Sequence, residues 1–133
     1  MSIESKVKAK LMKTYRGGLD LVAVNIQRGR DHGLPGYNAW REVCGLKKAD
    51  SFDYFADFIP EKIVERLKLI YAHPDDVDLF IGGISEIPVH GALLGPTFQC
   101  LVGDQFKRLQ HGDRSQRKTN KDRQTLTYLE KTF

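Results

Sequence analysis

Asn25 and Arg28 are two side chains whose types and spacing could serve chemistry together. An amide both donates and accepts hydrogen bonds, and a guanidinium can pair with a carboxylate through two parallel ones. On a helix, residues three positions apart project from the same face. One ligand that carries a hydrogen-bond donor and an anion could therefore satisfy both side chains.

An internal explanation of the same two side chains stays open on spacing alone. Arg28 could pair with Asp31 or another carboxylate, and Asn25 could bond a loop carbonyl. Buried polar groups are usually satisfied inside the protein, because an unpaired one is costly. On spacing alone, the internal role is therefore favoured over a ligand.

The run LDLVAVNI, which begins at Leu19 and carries Asn25, is apolar on nearly every side. This pattern is typical of a helix buried in a larger core and not of a surface helix. The valines make a strand the competing interpretation. Helix is favoured because the run continues into Gln-Arg-Gly-Arg-Asp-His without turn signals.

Further helices are predicted around polar and Gly- or Pro-rich connectors. The first two are a marginal helix in residues 1–18 and a short helix over Tyr37–Cys44 that is stopped by Gly45. Next come a short helix that buries Phe52, Phe55 and Ile59 and a helix from Pro60 that ends at His73-Pro74. The last helix begins at Pro96 and has one apolar stripe, formed by Phe98, Leu101, Val102, Phe106 and Leu109. Residues 75–95 are predicted to be packed irregular chain. Their aspartates lack the later glycine and glutamate of a calcium loop, so a solvated turn is expected.

Composition indicates one globular domain, since 41% of the 133 residues are apolar and 29% are charged. The net charge of +4 is a property of the end of the chain. Residues 1–104 hold 13 basic and 14 acidic side chains, whereas residues 105–133 hold 8 and 3. We therefore expect no nucleic-acid partner. No apolar run predicts a transmembrane segment, and the first residues do not resemble a signal peptide.

The two cysteines, Cys44 and Cys100, allow a single intramolecular pairing. Two buried reduced thiols that pack as small apolar groups explain the sequence equally well. The histidines are scattered without the spacing of metal ligands, so no metal site is predicted.

The segment LDLVAVNIQRGRDHGLPGYNAWREVCGL, with the later IGGISE and GALLGPTFQCLVGDQFKRLQHGDR, resembles the animal haem peroxidase family, which includes the myeloperoxidase-like and peroxidasin-like enzymes. The match spans about Leu19–Arg114, and RGRDHGLPGYNAWR is highly specific for that family. The resemblance implies the C-terminal part of a multi-helical catalytic domain, and so a mainly α fold. It divides the chain into a poorly matching lead-in (1–18), a partial peroxidase domain (19–114) and a basic divergent tail (115–133).

The resemblance implies that two residues serve a haem cofactor. The family counterpart of Asn25 accepts a hydrogen bond from the proximal histidine that ligates the iron, which fixes the tautomer of that imidazole. The counterpart of Arg28 meets a haem propionate. Haem is expected for the complete domain, and its retention by this chain alone is not implied.

Structural roles are implied for other residues. Arg30, Asp31 and His32 are expected to form a hydrogen-bond cluster, with His32 supporting the fold instead of ligating iron. The counterparts of Cys44 and Cys100 are bridged in related peroxidases, which favours a disulfide. No catalytic residue and no metal ligand is expected within the chain, because the family's proximal and distal histidines lie upstream of the matched region.

The implied activity is that of a haem peroxidase, an oxidoreductase that uses hydrogen peroxide to oxidise a halide or phenolic donor in the complete protein. This implies an extracellular or secretory location, a link to oxidative stress, and an N-terminal part of the domain as the missing partner. A catalytically inactive helical interaction module without haem is the alternative. The absence of an in-chain iron ligand favours the alternative for the chain alone, whereas the intact motif favours a peroxidase for the parent protein.

Overall fold

The computed structural model describes residues 19–112 and, within them, contains helices and no strand, which confirms the mainly α prediction. The helices are α1 (Leu21–Asp31), α2 (Tyr37–Val43), α3 (Glu61–Ile70), α4 (Leu79–Ser85) and α5 (Pro96–Gly112), with 3-10 helices at Phe52–Asp57 and Pro74–Asp76. The helix predicted in residues 1–18 and the basic tail lie outside the described residues. None of the described helices is long and apolar enough to cross a membrane.

Helix α1 begins where the Asp20 carboxylate accepts hydrogen bonds from the backbone N–H groups of Val22 and Ala23, at 2.9 and 3.5 Å. The choice of helix over strand is confirmed. The expectation of a helix buried in a larger core is wrong, since no residue of α1 is fully buried. α1 packs on α4 and leaves another side open to a cleft.

The hydrophobic core lies among α2, the first 3-10 helix and α3. Its fully buried apolar residues are Tyr37, Ala49, Phe55, Ile59, Val64, Leu67 and Val77. As predicted, α2 stops before Gly45, whose φ of +76° is one that glycine adopts at low cost. Helix α3 ends at Ile70, earlier than predicted, because Tyr71 takes an extended conformation with φ −109° and ψ 139°.

Helix α4 forms inside the segment predicted to be irregular, so that prediction is wrong for Leu79–Ser85. Two adjacent glycines explain the difference. A Cβ at Gly82 would collide with the Tyr37 ring, and one at Gly83 would collide with the Phe98 ring. The glycines let α4 approach α2 and α5 closely, and these tertiary contacts outweigh the low helix propensity of glycine.

Helix α5 is tied to the end of α2 by a disulfide between Cys44 and Cys100, whose Cα atoms are 5.9 Å apart. The favoured disulfide is therefore present in the structure. The predicted apolar stripe of α5 is only half covered. Phe98 is partly buried, whereas Phe106 and Leu109 expose 68% and 62% of their surface.

Candidate functional site

A cleft of about 910 Å³ opens along one side of α1. Its other walls are the turn that follows α1, the chain between α3 and α4, and the first turn of α4. Apolar side chains on the lining include Ile26, Leu34, Leu79 and Phe98. This size and partly apolar lining are within the range of small-molecule and cofactor sites.

Asn25 and Arg28 both line this cleft, as their shared helical face predicts. Asn25 is half-buried and Arg28 is exposed. Within residues 19–112, the side chains around α1 that form hydrogen bonds are those of Asp20, Arg30 and His32. Neither internal explanation, an Arg28–Asp31 pair or an Asn25 bond to a loop carbonyl, therefore occurs among the described residues.

Arg30 also lines the cleft, and it reaches across to the residue that precedes α4. Its Nε and Nη2 atoms donate to the two carboxylate oxygens of Asp78, at 2.8 and 2.7 Å. The hydroxyl of Tyr71 donates to Asp78 Oδ2 at 2.8 Å. This cluster joins α1 to α4 and to the end of α3.

The cluster changes the protonation of its members. The hydrogen bonds from Arg30 hold the pKa of Asp78 below its ordinary value, against the opposing effect of burial. Burial, followed by the hydrogen bond to Asp78, raises the pKa of Tyr71 to about 12. Asp78 is therefore a carboxylate and Tyr71 a neutral donor at neutral pH.

His32 closes the end of α1 and does not share a cluster with Arg30. Its Nδ1 atom lies 2.8 Å from the backbone carbonyl oxygen of Arg28, so the tautomer with a proton on Nδ1 donates to that carbonyl. Asp31 is exposed, and the described residues show it in no side-chain hydrogen bond with either neighbour. Among the described residues, Arg30 and His32 thus make two separate contacts, with Asp78 and with the Arg28 carbonyl, in place of the expected Arg30–Asp31–His32 cluster.

The aspartates near the second 3-10 helix do not gather as calcium ligands. Asp75 accepts a hydrogen bond at 2.6 Å from Asn38, whose amide also bonds the backbone of Ala49. Asp78 is occupied by Arg30. Among residues 19–112, no group of three His, Cys, Asp or Glu side chains could hold a metal ion.

A buried polar network joins α2, α4 and α5 behind the cleft, and the sequence did not indicate it. Glu86 Oε1 accepts from the hydroxyls of Tyr37 and Thr97 at 2.7 and 2.6 Å, and Oε2 accepts from the Thr97 backbone N–H at 2.9 Å. Burial raises the pKa of Tyr37 above its ordinary range. Glu86 and Thr97 flank a loop, and no local pattern links either of them to Tyr37.

Arg41 extends this network into the core. It is fully buried and donates to both carboxylate oxygens of Asp57, at 3.1 and 2.6 Å, and to the Tyr37 hydroxyl at 3.3 Å. Its guanidinium carbon lies 5.5–5.7 Å from the ring centres of Tyr37, Phe55 and Phe58. Burial alone would lower the pKa of Arg41, but these hydrogen bonds raise it. The residue is a charged core residue and not part of the cleft.

The chain is similar to known peroxidases over most of its length. It is 47% identical over 115 residues to the peroxidasin of Drosophila melanogaster, which covers 85% of this chain and 8% of that protein. It is 46% identical over 99 residues to the thyroid peroxidase of Sus scrofa, which covers 74% of this chain and 11% of that protein. The chain thus spans only a small part of these relatives.

A solved structure and a family model agree with these similarities. Peroxidase A from Dictyostelium discoideum superposes with a TM-score of 0.68 at 38% identity, over 82% of this chain and 21% of that one. The model of the animal haem peroxidase family matches residues 1–131, a wider range than the 19–114 proposed from the sequence, whose division into three parts stays a prediction. The resemblance carried by RGRDHGLPGYNAWR is confirmed: the chain belongs to the animal haem peroxidase family.

Proposed function

We propose that this chain forms one wall of the haem site of a peroxidase domain that uses hydrogen peroxide to oxidise a halide or phenolic donor. The observation that carries the proposal is the position of Asn25 and Arg28. Both line one cleft of about 910 Å³, and the described residues do not engage either side chain. Family membership supplies the identity of the cofactor.

Arg28 would hold a haem propionate. Its guanidinium is exposed on the cleft, and the planar donors of arginine fit a carboxylate through two parallel hydrogen bonds. The apolar lining beside it, including Ile26 and Phe98, suits the flat apolar body of a porphyrin. Charge at the edge and apolar contact at the face together would seat the cofactor in one orientation.

Asn25 would accept a hydrogen bond from the proximal histidine, which the family resemblance implies to lie upstream of the matched region. A neutral amide orients the imidazole but gives it less anionic character than a carboxylate would. When bound, haem supplies the redox chemistry with peroxide. This chain would supply the orientation of cofactor and ligand, while proton transfer to and from peroxide would belong to residues elsewhere in the domain.

The rest of the domain is the proposed partner of this chain. Several large apolar side chains are strongly exposed, among them Leu69 at 87%, Ile70 at 73% and Leu93 at 94%. A surface with this much exposed apolar side chain favours burial against further protein. Since the chain corresponds to 21% of the Dictyostelium peroxidase, we propose that the remaining part of such a domain covers it. The Cys44–Cys100 disulfide favours a secretory or extracellular location.

Absorption spectroscopy after haem reconstitution tests the proposal in this chain and in a version extended at its N-terminus by the rest of a peroxidase domain. We expect the extended protein to show a Soret band that shifts with peroxide. Asn25→Ala and Arg28→Ala should weaken that band. Gln27→Ala, an exposed substitution on the same helix, should leave it unchanged.

An inactive helical interaction module is the second candidate, and the exposed apolar surface favours it. It predicts no Soret band in either protein, although both would fold. A band in the extended protein that Arg28→Ala and Asn25→Ala leave unchanged would contradict the proposed roles of these two residues.

A further inference from the structure

Two arginines line the cleft, and the described chain uses them differently. Arg30 is engaged by both oxygens of Asp78 at 2.8 and 2.7 Å. Within residues 19–112, the side chain of Arg28 forms no such ion pair, and its backbone oxygen is the atom that contacts the His32 ring. Since the two arginines are two positions apart, their side chains do not share a face of the helix. A ligand carboxylate that met Arg30 would therefore sit differently from one that met Arg28.

Asp78 is used in an unusual way for its position. It is the N-cap residue of α4, where an aspartate commonly accepts hydrogen bonds from the first N–H groups of the helix. Here its side chain makes no capping bond, and its oxygens accept from Arg30 and Tyr71 instead. The Asp78 side chain is largely buried and exposes only 12% of its surface. It is directed across the cleft wall to α1.

We propose that Arg30, Asp78 and Tyr71 form a charge-neutral clamp that reserves Arg28 for a carboxylate bound in the cleft. The clamp would act on specificity and position, and it would not itself touch the reacting atoms. The identification of that carboxylate as a haem propionate rests on the proposed function.

The neutral charge of the Arg30–Asp78 pair matters for where a ligand carboxylate binds in the cleft. An unpaired Arg30 would compete with Arg28 and draw the carboxylate away from the face that Arg28 shares with Asn25. An unpaired Asp78 would repel the carboxylate. The Tyr71 hydroxyl adds a third donor, which holds the Asp78 oxygens in place without adding charge. Pairing Arg30 with Asp78 therefore removes both the attraction of the ligand carboxylate to Arg30 and its repulsion by Asp78.

Binding of two probes to the full chain tests the clamp. The probes are haemin, which carries two propionates, and haemin dimethyl ester, in which both are neutral. Asp78→Asn releases a charged Arg30, so haemin should bind about two- to fivefold more tightly. Arg30→Gln leaves Asp78 unpaired, so haemin should bind more weakly by a similar factor. Neither substitution should change binding of the ester, and the double variant should return close to the wild type.

The opposite signs separate a charge effect from a structural one. If the clamp only held the fold together, both single substitutions would weaken haemin and ester alike, in proportion to the loss of thermal stability, and the proposal would be overturned. Asp104→Asn and Arg108→Gln make the same charge changes in an exposed ion pair on α5. They should leave the binding of both probes unchanged.

A second measurement tests the clamp without a porphyrin, so it also decides the case in which this chain, as one wall of the site, binds neither probe by itself. Acetate serves as a carboxylate probe, and the Nε–H signals of the arginines are followed by NMR. In the wild type, acetate should shift the signal of Arg28 and not that of Arg30. In Asp78→Asn it should shift both. Equal shifts of Arg28 and Arg30 in the wild type would overturn the clamp.

Discussion

Arg28 and Arg41 place the same guanidinium group in two contrasting regions of the molecule. Arg41 is fully buried, paired with Asp57 and surrounded by aromatic rings. Arg28 is exposed on the wall of a cleft, and no carboxylate of the described residues forms an ion pair with it. The buried block around α2, α4 and α5 uses its polar groups to hold itself together. The wall formed by α1 leaves polar groups available, which is the property expected of a binding surface.

The largest effect is expected from the disulfide that closes the buried block. Replacing both cysteines in Cys44→Ser/Cys100→Ser should lower the free energy of unfolding by about 4 kcal/mol, on a loop-entropy basis for this separation. Urea unfolding followed by circular dichroism measures the loss. The reduced wild type should unfold like the double variant. Two reactive thiols in protein recovered from an oxidising compartment would contradict the bridge.

The next largest loss of stability is expected at Arg41, and the same substitution at Arg28 provides a direct comparison. Arg41→Ala leaves Asp57 and the Tyr37 hydroxyl without their partner and opens a cavity among the rings, so it should cost about 3 kcal/mol of stability. Arg28→Ala should change stability by less than about 0.5 kcal/mol, as for exposed sites in general. Its effect should instead appear in haemin binding. Equal losses of stability in the two variants would remove the contrast between the regions.

A conservative change at Glu86 sharpens the description of the buried block. Glu86→Gln preserves the shape but replaces one accepting oxygen with an amide NH₂ that faces donors of Thr97 or Tyr37. It should lower the unfolding free energy by about 1–2 kcal/mol. Glu42→Gln, an exposed position on α2, is the matched control and should be close to neutral. An equal effect at both positions would mean that the network contributes nothing specific.

The contrast between the regions also explains what the sequence could predict. Helix α1 and the shared face of Asn25 and Arg28 were predictable because they depend on local spacing. Helix α4 was missed because glycines that weaken an isolated helix here permit close packing. The partner of Arg30 was missed for a different reason: Asp78 lies 48 positions away, and only the tertiary fold brings them together.

The apolar pattern of α1 was misread as complete burial for a related reason. A sequence pattern reports how apolar a helix is, but not which protein covers it. No residue of α1 is fully buried in this chain, which spans 21% of its structural relative. The apolar pattern of α5 likewise does not show what covers it, since Phe106 and Leu109 continue the apolar stripe but are exposed in this chain.

The smallest expected effect is a pH dependence of the clamp. The pKa of Asp78 is lowered in the folded state, chiefly by Arg30, so its contribution to stability is complete above the pKa of an unfolded aspartate, about 4. It is lost as the pH falls below that value through the folded pKa. The wild type should exceed Asp78→Asn by about 1 kcal/mol at pH 7, and the difference should shrink in urea unfolding at about pH 3. Asp53→Asn, which removes an exposed carboxylate paired with Lys68, provides the control. A difference in stability that stays constant with pH would show that Asp78 acts through its shape and not through its charge. The clamp would then have no electrostatic means of keeping Arg28 available for a carboxylate in the cleft.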